Sequence, residues 1–290
     1  MKKLIIAGFG QPLLDLYGFL EHQFDIVGVI LDYERREKFA SFHESLESKA
    51  IKTYSFEDLP QLNPDVVVVF NYIKIIDVKN ITVPLLNIHM GVLPVYRGNN
   101  ANASALLNGD RNVGYTLHEV SDILDGGKIF YKFTYEIQQG QTYFHGKSAM
   151  TEDLKTNLPA VLTKILDGEI QGVDQEDEGF IYSTRLYPED GVISNWDQTT
   201  DDIINRHIIF ARPLGTGLKM MHQGNMIEIS KLSVIPHFKV SKGFPGAVVL
   251  KNNDGSIWIK TRDTALSIDE LLIDGNTVLP ATLYKIGERI

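Results

Sequence analysis

Residues 65–73, DVVVVFNYI, place four consecutive valines, Val66 to Val69, inside the most apolar run of the chain. A strand with one wet face alternates apolar and polar side chains, and this run has no polar side to offer water. It must therefore be covered on both faces, which is the situation of a central strand in a parallel sheet flanked by helices. KLIIAGF (3–9), DIVGVIL (25–31) and VPLLNIH (83–89) repeat the same signature. Between them PLLDLYGFLEHQ (12–23) carries Leu13, Leu14, Tyr17 and Leu20 at helical spacing, and 140–168 reads as a long helix with a kink near Pro159. The expected fold is α/β, a Rossmann-like, mostly parallel sheet with helices on both faces.

The pattern changes after about residue 185. A turn-rich stretch, PEDGVISNWDQ (188–198), leads into TTDDIINRHIIFA (199–211), a short amphipathic helix that Thr199 or Thr200 would cap. Hairpin-like pairs follow, turning at Gln223-Gly224-Asn225 and at Asn253-Asp254-Gly255. The organisation expected is one domain over 1–185, a linker over 186–198, and a small C-terminal β-barrel-like (OB-like) domain over 199–290.

Composition removes several classes of function. The chain has no cysteine, so it has no disulfide framework, thiolate metal site or thiol nucleophile, and a reducing cytoplasm is the expected compartment. The eight histidines are scattered and form no metal-type motif. The opening MKKLIIAGFGQP is too short before its Gly and Pro for a signal peptide, and no run approaches the roughly 20 apolar residues that span a bilayer. The net charge of −9 is uneven, with 16 basic against 25 acidic residues over 1–184 and 12 against 12 over 185–290. Nucleic-acid binding needs clustered Lys and Arg, so neither a polyanion nor a membrane is expected as partner, whereas a compact anionic ligand is compatible. GFGQPL (8–13) lacks the third glycine of a dinucleotide fingerprint and reads as a tight strand-to-helix turn.

The chemistry concentrates in NIHMGVLPVYRGNN (87–100). Ligands gather at the carboxyl ends of parallel strands, and the strand 83–89 ends there in Asn87 and His89, which alternation puts on one face. Asn87 could tie a loop carbonyl and His89 could be an interior histidine satisfied by the backbone. Against that, polar side chains are costly on so apolar a strand, and the loop that follows is long and irregular. Further on, GYTLHEV leads into SDILDGG, where Asp125 precedes two glycines while Asp122 reads as a turn residue.

Together NIHMGVLPVYRGNN, NGDRNVGYTLHEV and LDGGKI resemble the formyltransferase family that uses 10-formyltetrahydrofolate. That family shows Asn-x-His, a Leu-Pro-x-Tyr-Arg-Gly loop, an Asn-Gly-Asp segment and an Asp before a small residue and Gly. The interval of 36 residues from His89 to Asp125 is similar as well. YPEDGVISNW resembles the family's linker, with one extra residue before Trp196, and FPGAVVLKNNDGSIWIKT resembles the opening of its C-terminal barrel. The likeness covers roughly residues 65–290, and its specificity comes from the set of motifs rather than from any one.

The resemblance implies roles. Asn87 would donate to the developing oxyanion, His89 would handle the nucleophile's proton, and Asp125 would orient and charge-stabilise His89, with either of the last two as formal base. 10-Formyltetrahydrofolate would be the donor, without a metal. Its pterin would lie against Asn71, Tyr72, Ile73, Val78 and Leu85 and against Val120, Ser121, Asp122, Ile123 and Leu124. Tyr72 has an equal reading as plain packing. Met90, Tyr96, Arg97, Gly98 and Asn99 would border the acceptor, although Arg97 also suits a structural pair with a carboxylate.

The loop departs from the family's commoner His-Pro-Ser-Leu-Leu-Pro and Arg-Gly-x-x-Pro forms at Met90, Gly91 and Asn99 to Asn102, where acceptor identity would be encoded. Chain layout, the acidic stretch QEDEGF (175–180), PEDG and TLHEV lean toward the sugar-nucleotide N-formyltransferases. The acceptor expected is an amino-dideoxyhexose linked to dTDP and made for a surface polysaccharide such as a lipopolysaccharide O-antigen. Formylation of methionyl-tRNA is the alternative within the class, hydrolysis of 10-formyltetrahydrofolate an alternative reaction, and ligand binding without catalysis a third reading. The hairpin edges of the C-terminal half need covering, and a homodimer is one way to do it.

Overall fold

The structure is a computed structural model that describes residues 1–32, 40–176, 178–235 and 243–290. Asp177 of the acidic stretch lies outside the described residues. The chain divides into two compact units. The first comprises Met1–Asn102, Val113–Tyr135 and Lys147–Thr184, and the second Ala103–Asn112, Glu136–Gly146 and Arg185–Ile290.

The first part of the chain runs β1 (Lys3–Gly8), α1 (Gly10–Leu20), β2 (Asp25–Leu31), α2 (Ala40–Ser48), β3 (Thr53–Tyr54), α3 (Leu59–Leu62), β4 (Val66–Phe70), β5 (Leu85–His89) and β6 (Tyr96–Gly98). It continues through α4 (Ala101–Leu107), β7 (Asn112–Glu119), β8 (Ile129–Glu136), α5 (Tyr143–Thr156), α6 (Leu158–Leu166) and β9 (Ile181–Ser183). The main sheet has the order β3-β2-β1-β4-β5-β7-β8. β1 to β5 are mutually parallel, and β7 joins β5 antiparallel. The valine run is β4, and its Val66, Val67 and Val68 are wholly inaccessible. One face buries Ile5, Ala7, Val67 and Val69 in a shared cluster, while Leu4, Ile6, Val66 and Val68 are buried on the other. A mostly parallel sheet covered on both sides is what the run demands.

The helix expected over 140–168 is two. α5 stops at Thr156 and α6 begins at Leu158, with Pro159 in its first turn. Proline offers no backbone N–H and crowds the preceding turn, so a break rather than a bend is the result. Asn157 at the junction donates to Asp153 Oδ2 at 2.5 Å.

The C-terminal elements are β10 (Val192–Ile193), α7 (Thr200–Phe210), β11 (Leu218–His222), β12 (Asn225–Val234), β13 (Val248–Lys251), β14 (Ile257–Lys260), β15 (Ala265–Ile273) and β16 (Asn276–Val278). They form a sheet of order β10-β11-β12-β15-β14-β13, with β16 on β15. Both hairpins turn where Gly224 and Gly255 stand. Thr199 caps α7, accepting from Asp202 N at 3.1 Å while Asp202 Oδ2 accepts from Thr199 N at 3.2 Å. The core gathers Leu218, Ile229, Ile257, Ile259 and Ile268 around Trp196 and Tyr284. The stretch 186–198 is structured: Pro188–Gly191 is a 3-10 turn, β10 pairs with β11, and Trp196 is buried. Among the described residues no helix is long and apolar enough to cross a membrane.

Candidate active site

The site begins with register. In the β5–β7 ladder Asn87 lies opposite His118, and His89 lies opposite Thr116. Paired residues of an antiparallel ladder share a face, as do residues two apart on one strand. Asn87, His89, Thr116 and His118 therefore project from one side of the sheet. His89 and His118 are buried, and Asn87 remains partly exposed.

The irregular loop after His89 closes over the ring. Thr116 Oγ1 donates to Gly91 O at 2.8 Å and accepts from Leu93 N at 3.1 Å. His89 Nε2 lies 2.9 Å from the carbonyl of Tyr96. Gly91 sits so near the imidazole that a Cβ there would be 2.5 Å from His89 Nε2 and 2.5 Å from the Ala101 side chain. Only a residue without a side chain allows this approach.

Asp125 completes the group from the loop between β7 and β8. Its backbone is left-handed, with φ of 51°, a conformation that Asp tolerates better than most residues. Its carboxylate is shared between the two imidazoles. His89 Nδ1 lies 3.4 Å from Oδ2, and His118 Nε2 lies 3.5 Å from Oδ1. Gly98 N donates to Oδ2 at 2.8 Å.

The outer nitrogens decide the tautomers. His89 Nε2 must carry a proton to bond the Tyr96 carbonyl, and His118 Nδ1, 2.7 Å from the Glu119 carbonyl, must carry one too. When neutral, His89 therefore turns its Nδ1 lone pair toward the Asp125 carboxylate, and a proton taken up there faces Oδ2. Asn87 Nδ2, 3.0 Å from His118 Nε2, donates to that ring and keeps its second N–H. Burial pushes the His89 pKa below the ordinary histidine value, against the opposing pull of Asp125 and the Tyr96 carbonyl. Burial works to raise Asp125, but His118, His89 and the Gly98 N–H together outweigh it and hold the carboxyl below its usual range. At neutral pH the arrangement is a neutral imidazole beside an ionised carboxylate. It can take up one proton at His89 Nδ1 and stabilise the resulting cation.

The sequence pattern of the formyl transferase family matches residues 29–162, and that of the formyl transferase C-terminal domain matches residues 185–289. The chain belongs to the formyl transferase family. Members of this family move a formyl group from a formylated folate, and this chain is such an enzyme. A methionyl-tRNA formyltransferase from Caldanaerobacter subterraneus subsp. tengcongensis is 29% identical over 81% of this chain and 74% of its own length. An N-formyltransferase from Helicobacter canadensis, crystallised with folinic acid and dTDP-3-aminofucose, superposes with a TM-score of 0.69 at 21% identity. That match covers 92% of this chain and 98% of the other. HypX from Aquifex aeolicus in complex with tetrahydrofolic acid matches with a TM-score of 0.59 at 20% identity. It covers 97% of this chain, which spans only 46% of HypX.

For a formyl transferase the remaining residues sort by where they lie. Tyr72, Val78 and Val120 pack against the cluster that contains Leu85, so four of the residues expected to line a pterin meet in one apolar group. Burial, with the charges of Asp32 and Glu57, raises the Tyr72 hydroxyl pKa. Ile73, Ile123 and Leu124 are about half exposed, which suits a flat apolar ring better than it suits water. Asn71 is engaged elsewhere, in a left-handed conformation with its amide on the Phe9 carbonyl at 2.9 Å. Ser121 Oγ bonds the backbone of Ile123, and Asp122 is exposed.

Around the expected acceptor site, Met90 is half-buried and Asn99 is exposed. Tyr96 is buried, and it touches His89 through its carbonyl. Gly98 spends its N–H on Asp125. Arg97 is wholly inaccessible, 4.2 Å over the Phe180 ring and 3.2 Å from Gln175 Oε1, so it belongs to the framework rather than to an open acceptor surface. Asn102 is likewise buried, bonding Gly114 N and Gly114 O at 2.8 Å each, which removes it from acceptor recognition.

Sequence reasoning missed His118 as a member of the site. Its only signal was alternation with Thr116 in GYTLHEV, and that speaks only once β7 is known to lie antiparallel against β5.

Proposed function

We propose that this formyl transferase is a sugar-nucleotide N-formyltransferase, acting on the amine of a dTDP-linked amino-dideoxyhexose of the kind built into surface polysaccharides. The chemistry is assigned to residues within 1–185. The observation that carries the transfer reading is the Asp125 carboxylate between two imidazoles whose outer nitrogens are committed to carbonyls, beside a half-exposed amide.

10-Formyltetrahydrofolate, when bound, supplies the formyl group, and Tyr72, Ile73, Val78, Leu85, Val120, Ile123 and Leu124 are the residues that would hold its ring. Asn87 would direct its second N–H at the formyl oxygen, where negative charge would develop during attack. Removing such a donor costs about 100- to 1,000-fold in rate. Neutral His89 would take the amine's proton on Nδ1, with Asp125 stabilising the imidazolium so formed, and would return that proton to the departing tetrahydrofolate nitrogen as the formyl C–N bond to the donor breaks. His118 Nε2 stands 3.5 Å from the other carboxylate oxygen and accepts from Asn87, so the acid, amide and base keep one geometry. No covalent nucleophile is required, which suits a chain without cysteine.

The choice of acceptor is supported by charge. A tRNA substrate calls for clustered cations, whereas this chain has net charge −9, acidic over its first 184 residues and neutral over the rest. The second reading, methionyl-tRNA as acceptor, is favoured by the sequence relatives that carry that name. Purified protein incubated with 10-formyltetrahydrofolate and a panel of dTDP- and UDP-amino sugars separates them through tetrahydrofolate release. Release dependent on a sugar nucleotide is expected. Formylation of charged tRNA alone would overturn the sugar reading, and release without any amine would point to hydrolysis.

A further inference from the structure

The catalytic carboxylate sits on a turn that the sheet alone does not hold. Asp125 is left-handed, and Gly127 comes so close to β7 that a Cβ there would lie 2.0 Å from the Glu119 carbonyl. One side chain from fifty positions further along the chain spans this turn. Gln175 Nε2 donates to the Asp125 carbonyl at 2.9 Å and to the Gly127 carbonyl at 2.6 Å. Its Oε1 accepts from Arg97 Nη2 at 3.2 Å.

From these contacts we infer that Gln175 is a positioning residue of the formyl-transfer site, holding the turn that aims Asp125 between His89 and His118. The inference rests on the site reading above.

The segment around Gln175 is itself fixed in register. Val173 and Ile129 exchange backbone bonds at 2.8 and 2.9 Å just before it. Just after it β9 pairs with β6, setting Arg97 opposite Tyr182 and Gly98 opposite Ser183. The same β6 supplies the Gly98 N–H that grips the Asp125 carboxylate. Asp125 is thus held by its side chain from β6 and by its main chain from Gln175, and Arg97 links the two holds. The contact pattern explains the residue type. The turn presents two carbonyls and Arg97 presents a donor, so the bridging side chain must offer two N–H groups and one acceptor. A carboxamide does so; a carboxylate of equal length keeps the Arg97 contact and loses both donations.

The test uses Gln175→Glu and Gln175→Met beside Asp125→Asn, all in the full chain. Folding is checked by thermal melting, and the donor site by binding of 5-formyltetrahydrofolate. The deciding readout is the titration of His89, followed by NMR in protein labelled with 15N-histidine and assigned through a His89→Asn variant; it needs no acceptor. The groups facing His89 are Asp125, His118 and the Tyr96 carbonyl, and of these Asp125 favours the protonated ring. Withdrawing its carboxylate must move the His89 midpoint to lower pH.

Both Gln175 variants are expected to melt as folded proteins, bind 5-formyltetrahydrofolate like the parent, and show the His89 midpoint lowered in the same sense as Asp125→Asn. With an accepted amine, kcat should fall by up to about 100-fold while KM for the folate is little changed, as for a misplaced catalytic group. A parental His89 titration in both Gln175 variants, with Asp125→Asn displaced, would overturn the inference. If Asp125→Asn itself leaves His89 unmoved, the failure lies with the site reading instead.

Discussion

His89 has one nitrogen to spend. Nε2 is committed to the Tyr96 carbonyl, so a proton taken up by the neutral ring goes to Nδ1, toward Asp125. Because burial holds the His89 pKa below the ordinary histidine value of 6.5, the acid limb that this ring contributes to activity should lie below that pH. The check is a pH profile of kcat/KM divided by the fraction of unprotonated acceptor amine, and a remaining acid limb centred above 6.5 would contradict the assignment. Asp125→Asn should lower the rate and also move that limb to more acid pH, since the carboxylate is what favours the imidazolium. Gly91→Ala makes a different prediction at the same ring. The new methyl would stand 2.5 Å from Nε2, so the imidazole must leave the Tyr96 carbonyl. Crowding of this kind costs about 1–3 kcal/mol of stability. The loss of geometry should show as a fall in kcat of up to about 100-fold.

At the scale of elements, Thr199 illustrates a feature readable from sequence and then testable. The Thr–Asp pair three apart forms a reciprocal cap on α7, and Thr199→Ala should cost about 1 kcal/mol in thermal unfolding without touching formyl transfer. Caps, apolar runs and hairpin turns are local, so Val66–Val69, Thr199 and Gly224 declared themselves in the sequence. Asn87, His89 and Asp125 stood out because their spacing resembles the family's pattern, and the structure groups the three side chains around His118. His118 was not, because its membership depends on a register between β5 and β7 that no local pattern records. Gln175 was invisible for the same reason at longer range, since a single glutamine fifty residues from the turn it spans carries no periodic signal. Arg97 was legible as important and ambiguous as to why; its complete burial beside Phe180 resolved the choice in favour of framework.

At the scale of the whole molecule, charge offers a test between the two acceptor classes. An enzyme gripping tRNA through phosphates loses affinity steeply with salt, with a slope that counts the contacts. A chain of net charge −9 should bind methionyl-tRNA weakly and without such a slope, as filter binding at several salt concentrations would register. Asn87, His89 and Asp125 are proposed to carry a formyl group from folate to the amine of a nucleotide sugar. The most direct test is mass spectrometry of dTDP-amino sugars incubated with 10-formyltetrahydrofolate and either the parent protein or His89→Asn. One sugar nucleotide should gain a single formyl group with the parent and none with the folded variant. Formyl transfer that survives in His89→Asn, or no formylated sugar nucleotide across the panel while methionyl-tRNA is formylated, would contradict the proposal.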